Sequence, residues 1–402
     1  MTFLHCCARA TSFPALTEVL RSRAAQVTNW MDLVAEAESQ GLAPLVYHHL
    51  GAFADLCPAE AKRSLYLLYL RHRHKNGILS QVLADALALL NTAGIRVLVL
   101  KGAALCRTVY ADIGQRPMRD VDLLVGREQA AQAQDILIGL GFVESSAPRP
   151  FDHFHLPSLH KNVEGIAVCI ELHTDLFPRC PPYYRHVEFD ELAGRAFSME
   201  IGGQQAASLG HTDMLWHLFE HGLHMPLTYE PFKLIAVADI ISLVERKYEE
   251  IEWKRLAKEN PHILRALPQL HFISPWQDHV RELVGFRTGA MPKAVGKPFT
   301  GWPHLRLSQQ GQRALTAILK ETFLPPEWWV KTYYGCTSKW AYARSILKDH
   351  PRSIWWWMRL YASFLVVEKG GRGGQEVSLR QNFLGFYCRA IKLLITKLKK
   401  QR

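Results

Sequence analysis

The residues best placed to do chemistry lie in Arg116-Pro117-Met118-Arg119-Asp120-Val121-Asp122-Leu123-Leu124-Val125. Side chains alternate faces along a strand, so Asp120 and Asp122 point the same way with Cα atoms roughly 6.5 Å apart. Val121, Leu123 and Val125 then bury the other face. At an effective dielectric near 20, two carboxylates about 5 Å apart repel by roughly 3 kcal/mol. Hard divalent ions that take oxygen ligands, above all Mg²⁺, relieve that repulsion. Judged alone, Asp-x-Asp is equally well explained by two solvated acids on an edge strand, paired with Arg116 and Arg119. Its surroundings decide between the two.

Upstream, Ile95 to Leu100 is apolar at five of six positions, the pattern of a strand covered on both faces. Lys101-Gly102-Ala103-Ala104-Leu105 then turns into a helix. Gly102 lets the backbone approach a ligand, and the free amides at a helix N-terminus form a seat for phosphate. Downstream, Ile166 to Leu172 reads as a strand with Val168, Ile170 and Leu172 on one face. Glu171 and His173 share the other, so a third carboxylate emerges beside the aspartates. His173 is expected to bind substrate or support the site.

These segments, together with Tyr110, resemble a family of bacterial proteins described as uncharacterised nucleotidyltransferases, within the DNA polymerase beta-like nucleotidyltransferase superfamily. The resemblance extends more weakly to about Gly285. It implies an α+β fold: a small mixed sheet with flanking helices, here with N-terminal and C-terminal helical regions added. It also implies transfer of a nucleoside monophosphate from a triphosphate such as ATP to an acceptor, with release of pyrophosphate. Asp120, Asp122 and Glu171 would hold two Mg²⁺ ions, or Mn²⁺, while Lys101, Gly102, Ala103, Arg116 and Arg119 would bind the phosphates. One departure matters: the superfamily usually has Gly-Ser where this chain has Gly102-Ala103, and a longer loop separates Gly102 from Asp120. The alternative is therefore a catalytically inactive nucleotide- or partner-binding protein on the same fold.

A second constellation is Trp216-His217-Leu218-Phe219-Glu220-His221-Gly222-Leu223-His224. His-x-x-Glu-His is the pattern of one class of zinc peptidases, which makes His217, Glu220 and His221 a remote alternative. Gly222 weakens such a helix, and no distant third ligand is evident. The apolar run Phe232 to Val244 contains Asp239. A buried acid needs a partner, and His221 or His224 is the expected one. His221, His224 and Asp239 thus join His173 as substrate-contacting or supporting candidates.

Periodicity divides the chain into a helical region 1–92, a catalytic unit 93–205, a helical substrate unit 206–285 and a linker 286–305 with Pro292, Pro298 and Pro303. An aromatic-rich helical region, 306–369, and a glycine break with a basic tail, 370–402, follow. The eight cysteines suggest neither a disulfide framework nor a zinc ribbon. The first twenty residues lack a signal-peptide pattern, and no run of about 18 apolar residues spans a membrane. A cytoplasmic location is expected. Of the net charge of +11, residues Lys369 to Arg402 carry +8, leaving the body nearly neutral. That distribution argues against a nucleic-acid groove. It gives residues 378–402 the look of a basic amphipathic helix, for peripheral contact with an anionic membrane or for docking on the protein's own core.

Overall fold

In a computed structural model, the structure describes residues 2–146, 154–179, 183–224, 233–285, 290–302 and 314–359. The glycine break, the basic tail, His153 and parts of the 286–305 linker lie outside these residues.

Four short helices open the chain: α1 (Phe3–Cys7), α2 (Pro14–Ala24), α3 (Trp30–Ser39) and α4 (Ala43–His48). They pack around α5 (Ala59–Thr92), whose Leu65, Leu79, Val82, Leu83, Ala86, Leu87 and Leu90 are buried at helical spacing. The sequence then alternates sheet and helix. Strand β1 (Val97–Val99) leads into α6 (Lys101–Thr108), one turn of 3-10 helix at Ile113–Gln115, β2 (Val121–Val125) and α7 (Ala130–Gly139). Strands β3 (Val143–Glu144), β4 (Leu159–Val163) and β5 (Ile166–His173) follow, then α8 (Phe189–Gly194), β6 (Phe197–Ile201) and β7 (Gln204–Ser208).

All seven strands form one mixed sheet in the order β3-β4-β5-β2-β1-β7-β6. It is larger than the reading from sequence suggested. Strands β4 and β7 occupy stretches too polar or too small to stand out as strands, and β6 adds a third beyond those read from sequence. The stretch His153 to Leu156 alternates in the manner of a strand, yet over its described residues it forms a single bridge from His155 to His173. β2 lies at the centre, antiparallel to β1 and parallel to β5, with Asp122 directly beside Glu171 in the register.

Helices α9 (His211–Leu223), α10 (Leu234–Lys247), α11 (Trp253–Glu259), α12 (Pro261–Leu270) and α13 (Asp278–Val284) continue the chain. The helices over Leu315–Phe323, Glu327–Tyr334 and Lys339–Arg344 come next. Trp328, Trp329, Tyr333 and Trp357 are buried, as core packing requires, whereas Trp340 and Trp355 stand exposed. Among the described residues, no helix is long and apolar enough to cross a membrane.

Candidate active site

Three adjoining elements position the site. β2 and β5 run parallel, so Asp122 and Glu171 project from neighbouring strands at one level. β1 sits on the other side of β2, and the Leu100 amide donates to the Asp122 carbonyl at 3.0 Å. The chain therefore leaves β1 beside Asp122 and turns into α6 at Lys101, a non-glycine residue held at φ 43°. That turn brings Lys101 Nζ to donate to Asp122 Oδ1 at 3.0 Å. From the end of β5, His173 Nε2 meets the same oxygen at 2.9 Å and lies 3.7 Å from Glu171 Oε2.

The electrostatics follow from burial and these neighbours. Burial alone would raise the Asp122 carboxyl, but Lys101 and His173 outweigh it and hold it well below the usual carboxylate range. Asp120 precedes the first residue of β2. Burial, then the charges of Asp122 and Glu171, push its carboxyl upward against the pull of Lys101. Glu171 is lowered because His173 and His155 overcome its burial. His173, although buried, is raised by Asp122 and Glu171.

Asp122, Glu171 and His173 each offer a ligand atom within 4.8 Å of the other two. Two carboxylates and an imidazole, with Asp122 and His173 buried and Glu171 half-buried, balanced by one lysine, make a donor set suited to a divalent cation. The residues present therefore fit a bound metal.

His155 was not anticipated. Its Nε2 lies 3.9 Å from Glu171 Oε2, and its ring centroid is 5.3 Å from that of His173. The alternating His153-Phe154-His155 pattern was the only signal for it. His217 and His221 lie on α9 with ring centroids 6.0 Å apart. α9 packs against α6, and burial and the charge of Lys101 drive both imidazoles well below their ordinary pKa. Neither nitrogen of His217 has a hydrogen-bond partner among the described residues.

Several expected roles are corrected. Arg116 was assigned to phosphate, yet it forms a buried ion pair with Asp239: Nη2 donates to Oδ2 at 2.8 Å and Nε to Oδ1 at 3.2 Å. A side chain on Gly102 would run into the Arg116 guanidinium, so this glycine makes room for a protein cation. Asp239 does have the partners its burial demands. They are Arg116 and Tyr110, whose hydroxyl donates at 2.7 Å, in place of His221 or His224. His224 belongs to a separate buried cluster with Glu220 and His262. That arrangement also removes the peptidase reading, because Glu220 faces His224 and His262 at 2.9 and 2.7 Å and is committed away from the His217–His221 pair.

A family profile described as uncharacterised nucleotidyltransferase matches residues 26–268. That is more than half of the 402 residues, and the chain belongs to this family. The solution structure of the antibiotic-resistance factor ANT(2'')-Ia is similar over 46% of this chain and 92% of that one, at 14% identity and a TM-score of 0.32. A nucleotidyltransferase-like antigenic protein from Paracoccidioides brasiliensis is similar over 51% of this chain and 96% of that one, at 16% identity and a TM-score of 0.30. No curated protein matches the chain.

Proposed function

We propose that the protein transfers a nucleoside monophosphate from a nucleoside triphosphate to an acceptor and releases pyrophosphate. The observation that carries this reading is the pairing of Asp122 with Glu171 on adjacent parallel strands, beside Lys101 and His173. Asp120, Asp122 and Glu171, with His173, would hold Mg²⁺ or Mn²⁺. Bound there, such ions supply Lewis acidity to the acceptor oxygen and neutralise the triphosphate.

The chain's own residues do the rest. Lys101 and the Gly102 and Ala103 amides at the start of α6 bind phosphate oxygens, and exposed Arg119 adds a charge at the rim. Glu171, held ionised by His173 and His155, is the group able to take the acceptor's proton. His217 and His221, on which the charge of Lys101 acts, would line the acceptor side.

Asp122→Asn should lower pyrophosphate release by about 10²-fold or more while leaving the circular-dichroism spectrum unchanged. Retention of full turnover would remove Asp122 from the mechanism. A second reading, a binding protein without turnover, is favoured by one feature: buried Ala103 brings no hydroxyl to the phosphate seat. Calorimetric binding of triphosphates without pyrophosphate release, across pooled metabolites as acceptors, would establish it.

A further inference from the structure

The proposed chemistry leaves one cluster of metal-ligating side chains unused. Glu220 and His224 lie one turn apart at the end of α9, and His262 comes from the first turn of α12. His224 Nδ1 is 2.9 Å from Glu220 Oε2, and His262 Nε2 is 2.7 Å from Oε1. The three ligand atoms fall within 4.8 Å of one another, and all three residues are buried. Tyr183 stacks on both imidazoles, with centroid distances of 4.6 and 4.0 Å. Among the described residues, the ion-pair partners of Glu220 are these two histidines and no lysine or arginine.

Glu220 is a buried carboxylate with imidazole nitrogens at 2.9 and 2.7 Å, one from the end of α9 and one from α12. Burying a carboxylate costs several kcal/mol unless it is neutralised. An imidazole can direct the lone pair of one nitrogen at a cation while its other nitrogen keeps the proton, so a cation lodged between the two rings and the carboxylate would supply the missing charge.

We propose that Glu220, His224 and His262 form a zinc site that pins α9 to α12. Two imidazole nitrogens with one carboxylate suit Zn²⁺, whereas Mg²⁺ and Ca²⁺ favour oxygen throughout. Tetrahedral zinc with bonds near 2.0 to 2.1 Å separates its ligand atoms by roughly 3.3 Å. The two contacts to Glu220 therefore open by about half an ångström to admit the ion. Three protein ligands leave the fourth position to water. The site fixes α9, the helix that also carries His217 and His221. The inference does not depend on the nucleotidyl-transfer reading, since no ligand is shared.

The test is zinc stoichiometry by mass spectrometry on the full-length chain, loaded with zinc and dialysed, compared with Glu220→Gln and Asp122→Asn. Wild type and Asp122→Asn should each keep about one zinc per chain. Glu220→Gln should keep none, and a strong chelator should lower the melting temperature of wild type by several degrees without moving that of Glu220→Gln. Should Glu220→Gln fail to fold, cobalt added to folded Asp122→Asn decides, because four-coordinate cobalt absorbs visibly and is bleached by zinc. Folded wild-type protein without zinc, zinc retained by Glu220→Gln, or no cobalt absorption in Asp122→Asn overturns the proposal. So does loss of zinc from Asp122→Asn alone, which would assign the ion to the other cluster.

Discussion

At the scale of single residues, Asp122 is held by two nitrogen partners from different elements, Lys101 opening α6 and His173 closing β5. Asp239 shows the same logic without any chemistry. Its carboxylate takes Arg116 and the Tyr110 hydroxyl in a buried setting, so Asp239→Asn strands a guanidinium away from water. The expected loss is about 3 to 5 kcal/mol, read from urea unfolding. Pairing it with Arg116→Met should recover a large part, and equal loss in single and double variants would show that the ion pair is not the cause. These two cases mark how far the sequence was legible. Alternation alone put Asp120, Asp122, Glu171 and His173 on shared faces, because period-two geometry is local. The partners of Arg116 and His224 were not legible because tertiary packing fixes them: Asp239 is 123 residues from Arg116, and His262 comes from a helix beyond α10.

At the scale of elements, Gly222 reads in the sequence as a weakness in α9, and the structure gives it a purpose. A Cβ there would lie 2.8 Å from the Ala236 Cβ, so the glycine lets α9 and α10 pack closely. Helix propensity favours Gly222→Ala by up to about 1 kcal/mol, while overpacking costs about 1 to 3 kcal/mol. Net destabilisation is expected, with a lower melting temperature; a rise would mean that α10 yields freely. The β6–β7 hairpin was legible but unread. Gly202-Gly203, at φ 56° and 80°, forms a two-residue turn between Ile201 and Gln204, the setting that positive φ at both positions suits. β7, made of Gln, Ala and Ser, carries little strand signal of its own, whereas Phe197, Met199 and Ile201 of β6 alternate with polar residues.

For the whole molecule, two buried histidines far apart in sequence make the fold acid-sensitive. Burial lowers His49 to about 3 and His350 to about 4, despite their hydrogen bonds to the Arg9 and Thr322 carbonyls at 2.9 and 2.8 Å. Both folded values lie below the unfolded value of 6.5, so the unfolded chain takes up these protons first as pH falls. Stability should hold above about pH 6.5 and fall by about 1.4 kcal/mol per pH unit for each histidine until the folded values are reached. Urea titrations at pH 7, 6 and 5 would measure the slope. His49→Gln, which keeps a donor for the Arg9 carbonyl, should reduce it by one histidine's share, and an unchanged slope would remove His49 as a contributor.

The central place of β2 has its own consequence. Three strands separate Asp122 from either margin of the sheet. Changes at the two-residue rim strand β3, or at the outer strand β6, therefore reach the acids through intervening hydrogen-bonded strands and, for β6, through α5 packed against it. The rims are where a peptide tag or a reporter domain can be spliced in with least disturbance to the reacting groups.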